Sequence, residues 1–193
     1  MGPRLILASA SPRRHELLRA AGYEFEIASP RIVEVSHRWL TIRELTVWNA
    51  SRKAIAASSI FPDAVVLAAD TLVTIDDEIL GKPADLDDAV QMLLRLSGRS
   101  HEVWTGVRIT DAALRRTRNF HEMSRVRFRK LDERAIRNYL AKIDPLDKAG
   151  AYAAQGHGTE IIERVKGSFS NVVGLPMEKT TDALRAFGIV PSR

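Results

Sequence analysis

Near the start of the chain, LILASASPRRHELL sets Ser9, Ser11, Pro12, Arg13 and Arg14 in the turn between an apolar run and a helical pattern. Small hydroxyls and paired guanidinium groups at a helix start suit anion recognition, because the first N–H groups of a helix lack partners and its dipole is positive there. The arginines add charge-assisted, bidentate contacts to phosphate oxygens. Two cations in a first turn oppose the dipole, and a bound anion removes that penalty.

Asp70 follows the apolar AVVLAA run, at the place where an open α/β sheet usually builds its site. A carboxylate there can hold a divalent metal, act as general base toward water, or do both. Lys53 in SRKAIAA and Lys82 in LGKP are candidate ligands for phosphate charge, with Gly81 and Pro83 fixing the backbone around Lys82. Glu34 is a candidate second carboxylate for the metal. In KAGAYAAQ, Gly and Ala allow close approach to a ligand, and Gln155 offers the donor and acceptor needed to read a nucleobase edge. Each residue alone also has an ordinary reading: Ser11 as a helix cap, Asp70 as a turn cap, Lys53 and Lys82 as surface lysines, Glu34 as a solvated loop acid, and the small residues as tight packing.

The elements that must position these residues are legible from pattern. RLILAS reads as a buried strand, followed by a helix with Ser11 as N-cap and Pro12 at its first position, ended by Gly22. YEFEIA alternates as a half-buried strand. Thr41 and Glu44 have capping-box spacing and open a helix to about Ser59. AVVLAADTLVTI is a central strand expected to deliver Asp70 and Thr71 at its far end, and the DDE turn makes a hairpin into LGKPAD. A helix is expected from about Leu86 to Leu96, ending at Gly98, followed by a long antiparallel pair (HEVWTGVRITDA and NFHEMSRVRFRKL) and the amphipathic helix DERAIRNYLAKI. TEIIERV reads as a strand and KGSFSN as a turn, and NVVGLPMEKTTDALRAFG as a strand entering a closing helix at Pro176. The expected architecture is α/β, a mixed sheet with helices on both sides.

Composition narrows the functional classes. With 193 residues, 45% apolar and 27% charged, the chain is long enough for a single domain, residues 1–193, or one domain with two lobes, and disorder is not expected. Lys and Arg outnumber Asp and Glu by 29 to 24, and the net charge of +5 favours polyanionic partners. The absence of cysteine excludes disulfides and cysteine-based zinc sites and agrees with a reducing compartment. No window approaches the roughly 20 apolar residues of a membrane span, and MGPRLILASA makes neither a secretory signal nor a myristoylation site. A cytoplasmic location with no membrane partner is expected.

Taken in order, LILASASPRRHELL, SRKA, AADT, GKP, LSGRSHEVWTGV, DKAGAYAAQG and GSFSNVVGLP resemble the Maf family of septum formation inhibitor-like nucleotide pyrophosphatases, over most of the chain from Leu5 to about Phe187. The resemblance implies hydrolysis of a nucleoside triphosphate between the α and β phosphates with a divalent cation, Mg²⁺, Mn²⁺ or Co²⁺. It implies a mixed twisted sheet with two lobes around a cleft, shared with the inosine triphosphatases, and a homodimer with no stable nucleic-acid partner. Asp70 matches the family's catalytic acid, Arg13, Arg14, Lys53 and Lys82 its phosphate-binding cations, with Ser9 beside them, and Glu34 a functional acid.

Arg13, Thr71 and Gln155 match the Arg, Thr and Gln of the dTTP/UTP pyrophosphatase branch, where the 7-methyl-GTP branch typically has Trp, Gln and Glu. The chemistry agrees, since a cationic methylated guanine is best held by an aromatic face and a carboxylate, and an uncharged pyrimidine by matched hydrogen bonds. Ala154 and the RIVE segment that ends in Glu34 depart from the family pattern near the expected cleft. The alternatives are a 7-methyl-GTP or ITP pyrophosphatase and, in another class, a non-enzymatic cell-division regulator that binds DNA or protein through a basic surface. Asp70 among phosphate ligands argues against the last, because DNA binding needs basic patches but no buried acid.

Overall fold

The computed structural model describes residues 3–30, 32–33 and 39–192. Among these residues, seven strands are ordered β2-β1-β3-β5-β6-β7, with β4 joined to β3 off this path. They are β1 (Leu5–Ala8), β2 (Glu26–Ala28), β3 (Val65–Ile75), β4 (Glu78–Leu80), β5 (Ser100–Asp111), β6 (Arg116–Phe128) and β7 (Ile162–Lys166). The helices are α1 (Pro12–Ala20), α2 (Ile42–Ile60), α3 (Leu86–Leu96), α4 (Glu133–Leu140), α5 (Gly158–Ile161), α6 (Phe169–Val173) and α7 (Met177–Ala186). β1 pairs in parallel with both β2 and β3, whereas β3–β4 and β6–β7 are antiparallel, so the sheet is mixed as expected. The chain divides into two compact units, 1–70 with 105–122 and 174–193, and 71–104 with 123–173.

In the first unit, alternation along β1 feeds two cores. Leu5 and Leu7 join Leu18 of α1 and Ala183 and Leu184 of α7, while Ile6 and Ala8 join Ala54 and Ala57 of α2. Opposite faces of a buried parallel strand must both be covered, which puts helices on both sides. α2 starts where the sequence places it, with Thr41 and Glu44 exchanging both bonds of a capping box. Its backbone lies directly on β5 at Gly106, where a Cβ would stand 2.3 Å from the Thr46 carbonyl carbon, and only glycine leaves that room.

In the second unit, Asp76 and Asp77 take φ of 52° and 62° in the two-residue β3–β4 turn, as a tight hairpin matched to strand twist demands. Amphipathic α3 and α4 bury Val90, Leu93 and Leu96, and Ile136, Tyr139 and Leu140, respectively.

Four local expectations are corrected. Asp70 lies mid-strand rather than at the far end, because pairing from Val73↔Leu80 to Ile75↔Glu78 keeps β3 extended beyond it. β2 is only three residues, and Ile27 is exposed, so the alternation of YEFEIA is not carried through. Thr159–Ile161 belong to α5, leaving the strand to begin at Ile162. Asn171–Val173 are helical: Ser168 Oγ accepts the Asn171 N–H at 3.2 Å, and the buried Asn171 amide donates to Val103 O and Ser124 Oγ, both at 3.0 Å. Side-chain capping of that kind outweighs the β propensity of two valines.

Candidate functional site

The connection β1–α1–β2 leaves β1 on one side and β2–α2–β3 returns on the other. Such a change of direction between parallel strands opens a crevice at their C-terminal ends. The register Leu5↔Val65 to Leu7↔Leu67 brings the C-terminal continuations of both strands, which carry Ser9 and Asp70, to this end.

Ser9 follows β1 and is 6% exposed. Its Oγ accepts from the Ser11 N–H at 3.3 Å and from the Arg14 guanidinium at 3.0 Å. Arg14, 8% exposed, also donates through Nε to Gly174 O at 2.8 Å, and the His15 ring bonds Ser9 O at 2.8 Å. The N-cap Ser11 makes no side-chain cap bond, the first turn of α1 holds no acidic residue, and Arg13 is half-buried beside Arg14. The opening of α1 is thus a positive end reinforced by arginines, one of them held rigidly from two directions.

α2 supplies the partners of Asp70. Lys53 Nζ donates to Asp70 Oδ1 at 2.6 Å, and Asn49 Nδ2 donates to Oδ2 at 3.3 Å. The Lys53 and Asp70 side chains are 14% and 6% exposed, so the pair is shielded from bulk water. Asn49 and Lys53 are one turn apart and therefore share a helix face. That spacing is the signal by which Asn49, absent from the sequence-derived candidates, was discoverable; for the Gly174 carbonyl there was none.

The other candidates belong to the second unit. Thr71 follows Asp70 on β3 and is half-buried. Lys82 is exposed after β4, and the preceding Gly81 C=O accepts the Gly150 N–H at 2.9 Å. Gln155 is exposed, its carbonyl accepting from the Gly158 N–H at 3.3 Å. The structure thus joins Ser9 to Arg14 and Lys53 to Asp70, and Glu34 lies outside the described residues.

The family model described as "Maf-like protein" matches residues 4–187. The chain belongs to the Maf-like family. A dTTP/UTP pyrophosphatase of Pelotomaculum thermopropionicum is 44% identical to it over 184 residues, 95% of this chain and 96% of that protein. One from Symbiobacterium thermophilum is 47% identical over 95% of this chain and 94% of its own, and one from Bacillus pumilus 43% over 97% and 98%. Among solved structures, the Ham1 protein of Staphylococcus aureus aligns over 65% of this chain and 71% of its own at TM-score 0.47 and 12% identity. A HAM1 protein from Coxiella burnetii aligns over 65% and 73% at TM-score 0.44 and 19% identity.

In this Maf-like chain, no group of three or more His, Cys, Asp or Glu suited to hold a metal occurs among the described residues. Asp70 accepts one bond on each carboxylate oxygen, and an ionised carboxylate has about four lone-pair sites, so acceptor capacity remains. That donor set fits a Mg²⁺-like ion, which is commonly held by one or two carboxylates with water and substrate phosphates completing its shell. It does not make an all-protein cage. No helix among the described residues is long and apolar enough to cross a membrane.

Proposed function

We propose that the chain hydrolyses dTTP and UTP to the nucleoside monophosphate and pyrophosphate. The observation that carries this reading is the buried Asp70 on β3, bonded to Lys53 and Asn49 of α2, with β3 neighbouring the strand that leads into Ser9, Arg14 and the start of α1. A carboxylate beside an anion-receptive helix end is what phosphoanhydride hydrolysis needs, since that chemistry rests on positioning and charge stabilisation. Curated relatives at 41–47% identity that carry the name dTTP/UTP pyrophosphatase support the substrate class.

Arg13, Arg14, Lys53 and Lys82 bind the phosphate oxygens, with Ser9 holding Arg14 in place. Asp70 orients the attacking water and accepts its proton as the oxygen bonds to the α-phosphorus; the bond to the α–β bridging oxygen breaks and pyrophosphate leaves. Asp70, with Glu34, would hold a divalent cation (Mg²⁺, Mn²⁺ or Co²⁺), which when bound offsets phosphate charge. Gln155 reads the pyrimidine edge, and Thr71 and Arg13 are the other residues assigned to base selection. The resemblance also supports a cytoplasmic homodimer as the working form.

Pyrophosphate release from dTTP, UTP, CTP, ATP, GTP, ITP and 7-methyl-GTP, with Mg²⁺ or Mn²⁺, tests this reading in wild type and Asp70→Asn. Expected is selective turnover of dTTP and UTP that Asp70→Asn abolishes while the chain stays folded. A purine preference would overturn the specificity, and retained activity in Asp70→Asn would overturn the role of Asp70.

A further inference from the structure

Gln155 stands at the end of a loop whose backbone is held at several points within the second unit. Tyr139 on α4 is 1% exposed, and its hydroxyl accepts the Ala153 N–H at 2.9 Å while donating to the Ala153 C=O at 3.2 Å. A backbone unit in an irregular segment has no ladder partner and must find its bonds elsewhere. Here one phenol satisfies both groups of a residue two positions before Gln155. On the far side, the Gly158 N–H donates to the Gln155 C=O, and a Cβ on Gly158 would stand 2.8 Å from the Ala153 oxygen, so the segment Ala153–Gly158 folds tightly on itself.

The approach to this segment is equally constrained. Gly150 and Ala151 take φ of 71° and 61°, a left-handed pair that is strained at the alanine and persists only where surrounding contacts enforce it. Tyr152 is buried, its hydroxyl 2.9 Å from His101 Nε2 and its ring edge-on to Phe128. The Gly150 N–H bonds the Gly81 C=O, which ties the loop to the residue preceding Lys82.

We propose that Tyr139 is a positioning residue for base selection: by gripping both backbone groups of Ala153 it sets where Gln155 presents its amide. This rests on the reading of Gln155 as the base contact. UTP and CTP are matched in size and phosphate charge and differ at the base edge, so the ratio of their kcat/KM values reports that placement directly.

The experiment measures both substrates in wild type, Tyr139→Phe, Gln155→Ala and the double variant. Loss of the hydroxyl leaves both groups of Ala153 without their partner, and Tyr139→Phe is expected to lower kcat/KM for UTP about 10-fold, mainly through KM, with CTP changed less than about 2-fold. In the Gln155→Ala background the same substitution is expected to leave the UTP/CTP ratio within about 2-fold, since two residues acting through one contact are not additive. Equal losses for both substrates in Tyr139→Phe, or an unchanged ratio, would overturn the positioning role while leaving Gln155 as base contact. An unchanged ratio in Gln155→Ala would instead overturn the reading on which the proposal rests.

If Tyr139→Phe does not fold, hydrogen exchange at the Ala153 amide decides, read in Asp70→Asn protein so that UTP persists. Protection that rises with UTP and less with CTP supports the proposal, and an amide that exchanges at the rate of an open chain overturns it.

Discussion

Replacing Lys53 with Met should expose how strongly the Lys53–Asp70 pair is coupled. The pair is 2.6 Å apart with side chains 14% and 6% exposed, so little water screens it. In Lys53→Met the carboxylate keeps, among the described residues, the 3.3 Å bond from Asn49, and removing one member of a buried pair typically costs about 3 kcal/mol. At about 2–4 °C per kcal/mol for a chain of this length, the melting temperature should fall by about 6–12 °C. Asp70→Asn should cost less, because an amide oxygen still accepts from Lys53. The double variant has neither charge and should be no less stable than Lys53→Met, a coupling of about 2 kcal/mol. Calorimetry or circular dichroism melts of the four proteins measure it, and the deficit should persist at high salt because the pair is buried. Additivity within about 0.5 kcal/mol would refute the reasoning.

Two further outcomes are expected. Gly106→Ala forces a Cβ into the α2 backbone and should destabilise by on the order of 4 kcal/mol, whereas Gly81→Ala, with nothing within 4 Å of its Cβ, should stay within about 0.5 kcal/mol; equal melting temperatures would refute the close approach of α2 to β5. Burial pushes the His101 imidazole down from 6.5 to about 4, so the folded state binds fewer protons than the unfolded state between those values. Stability is then full above about pH 6.5 and is lost as pH falls toward 4, about 2 kcal/mol of it by pH 5. Urea titrations at pH 7.5 and pH 5 should show that loss in wild type, and a His101→Gln variant that loses as much would refute it.

By itself the sequence determined those elements whose signals are local. The Thr41–Glu44 capping box, the Asp76–Asp77 turn and the apolar spacing of Leu86–Leu96 each depend on residues within a few positions, so period and capping chemistry located them closely. It also supplied the residue types for phosphate chemistry: Ser9, Arg14, Lys53 and Asp70. Tertiary structure decided what those residues touch. Arg14 is held by a carbonyl 160 positions away, Lys53 and Asn49 meet Asp70 only because α2 crosses back over the sheet, and the Tyr139 hydroxyl grips a backbone unit 14 positions on. Asn171 and its neighbours read as a strand because valines favour one, yet bonds from Asn171 to Val103 and Ser124 accompany a helix. Periodicity records which face of an element is apolar; it carries no information on which distant donor or acceptor will satisfy a buried polar group, and that pairing is what builds the site.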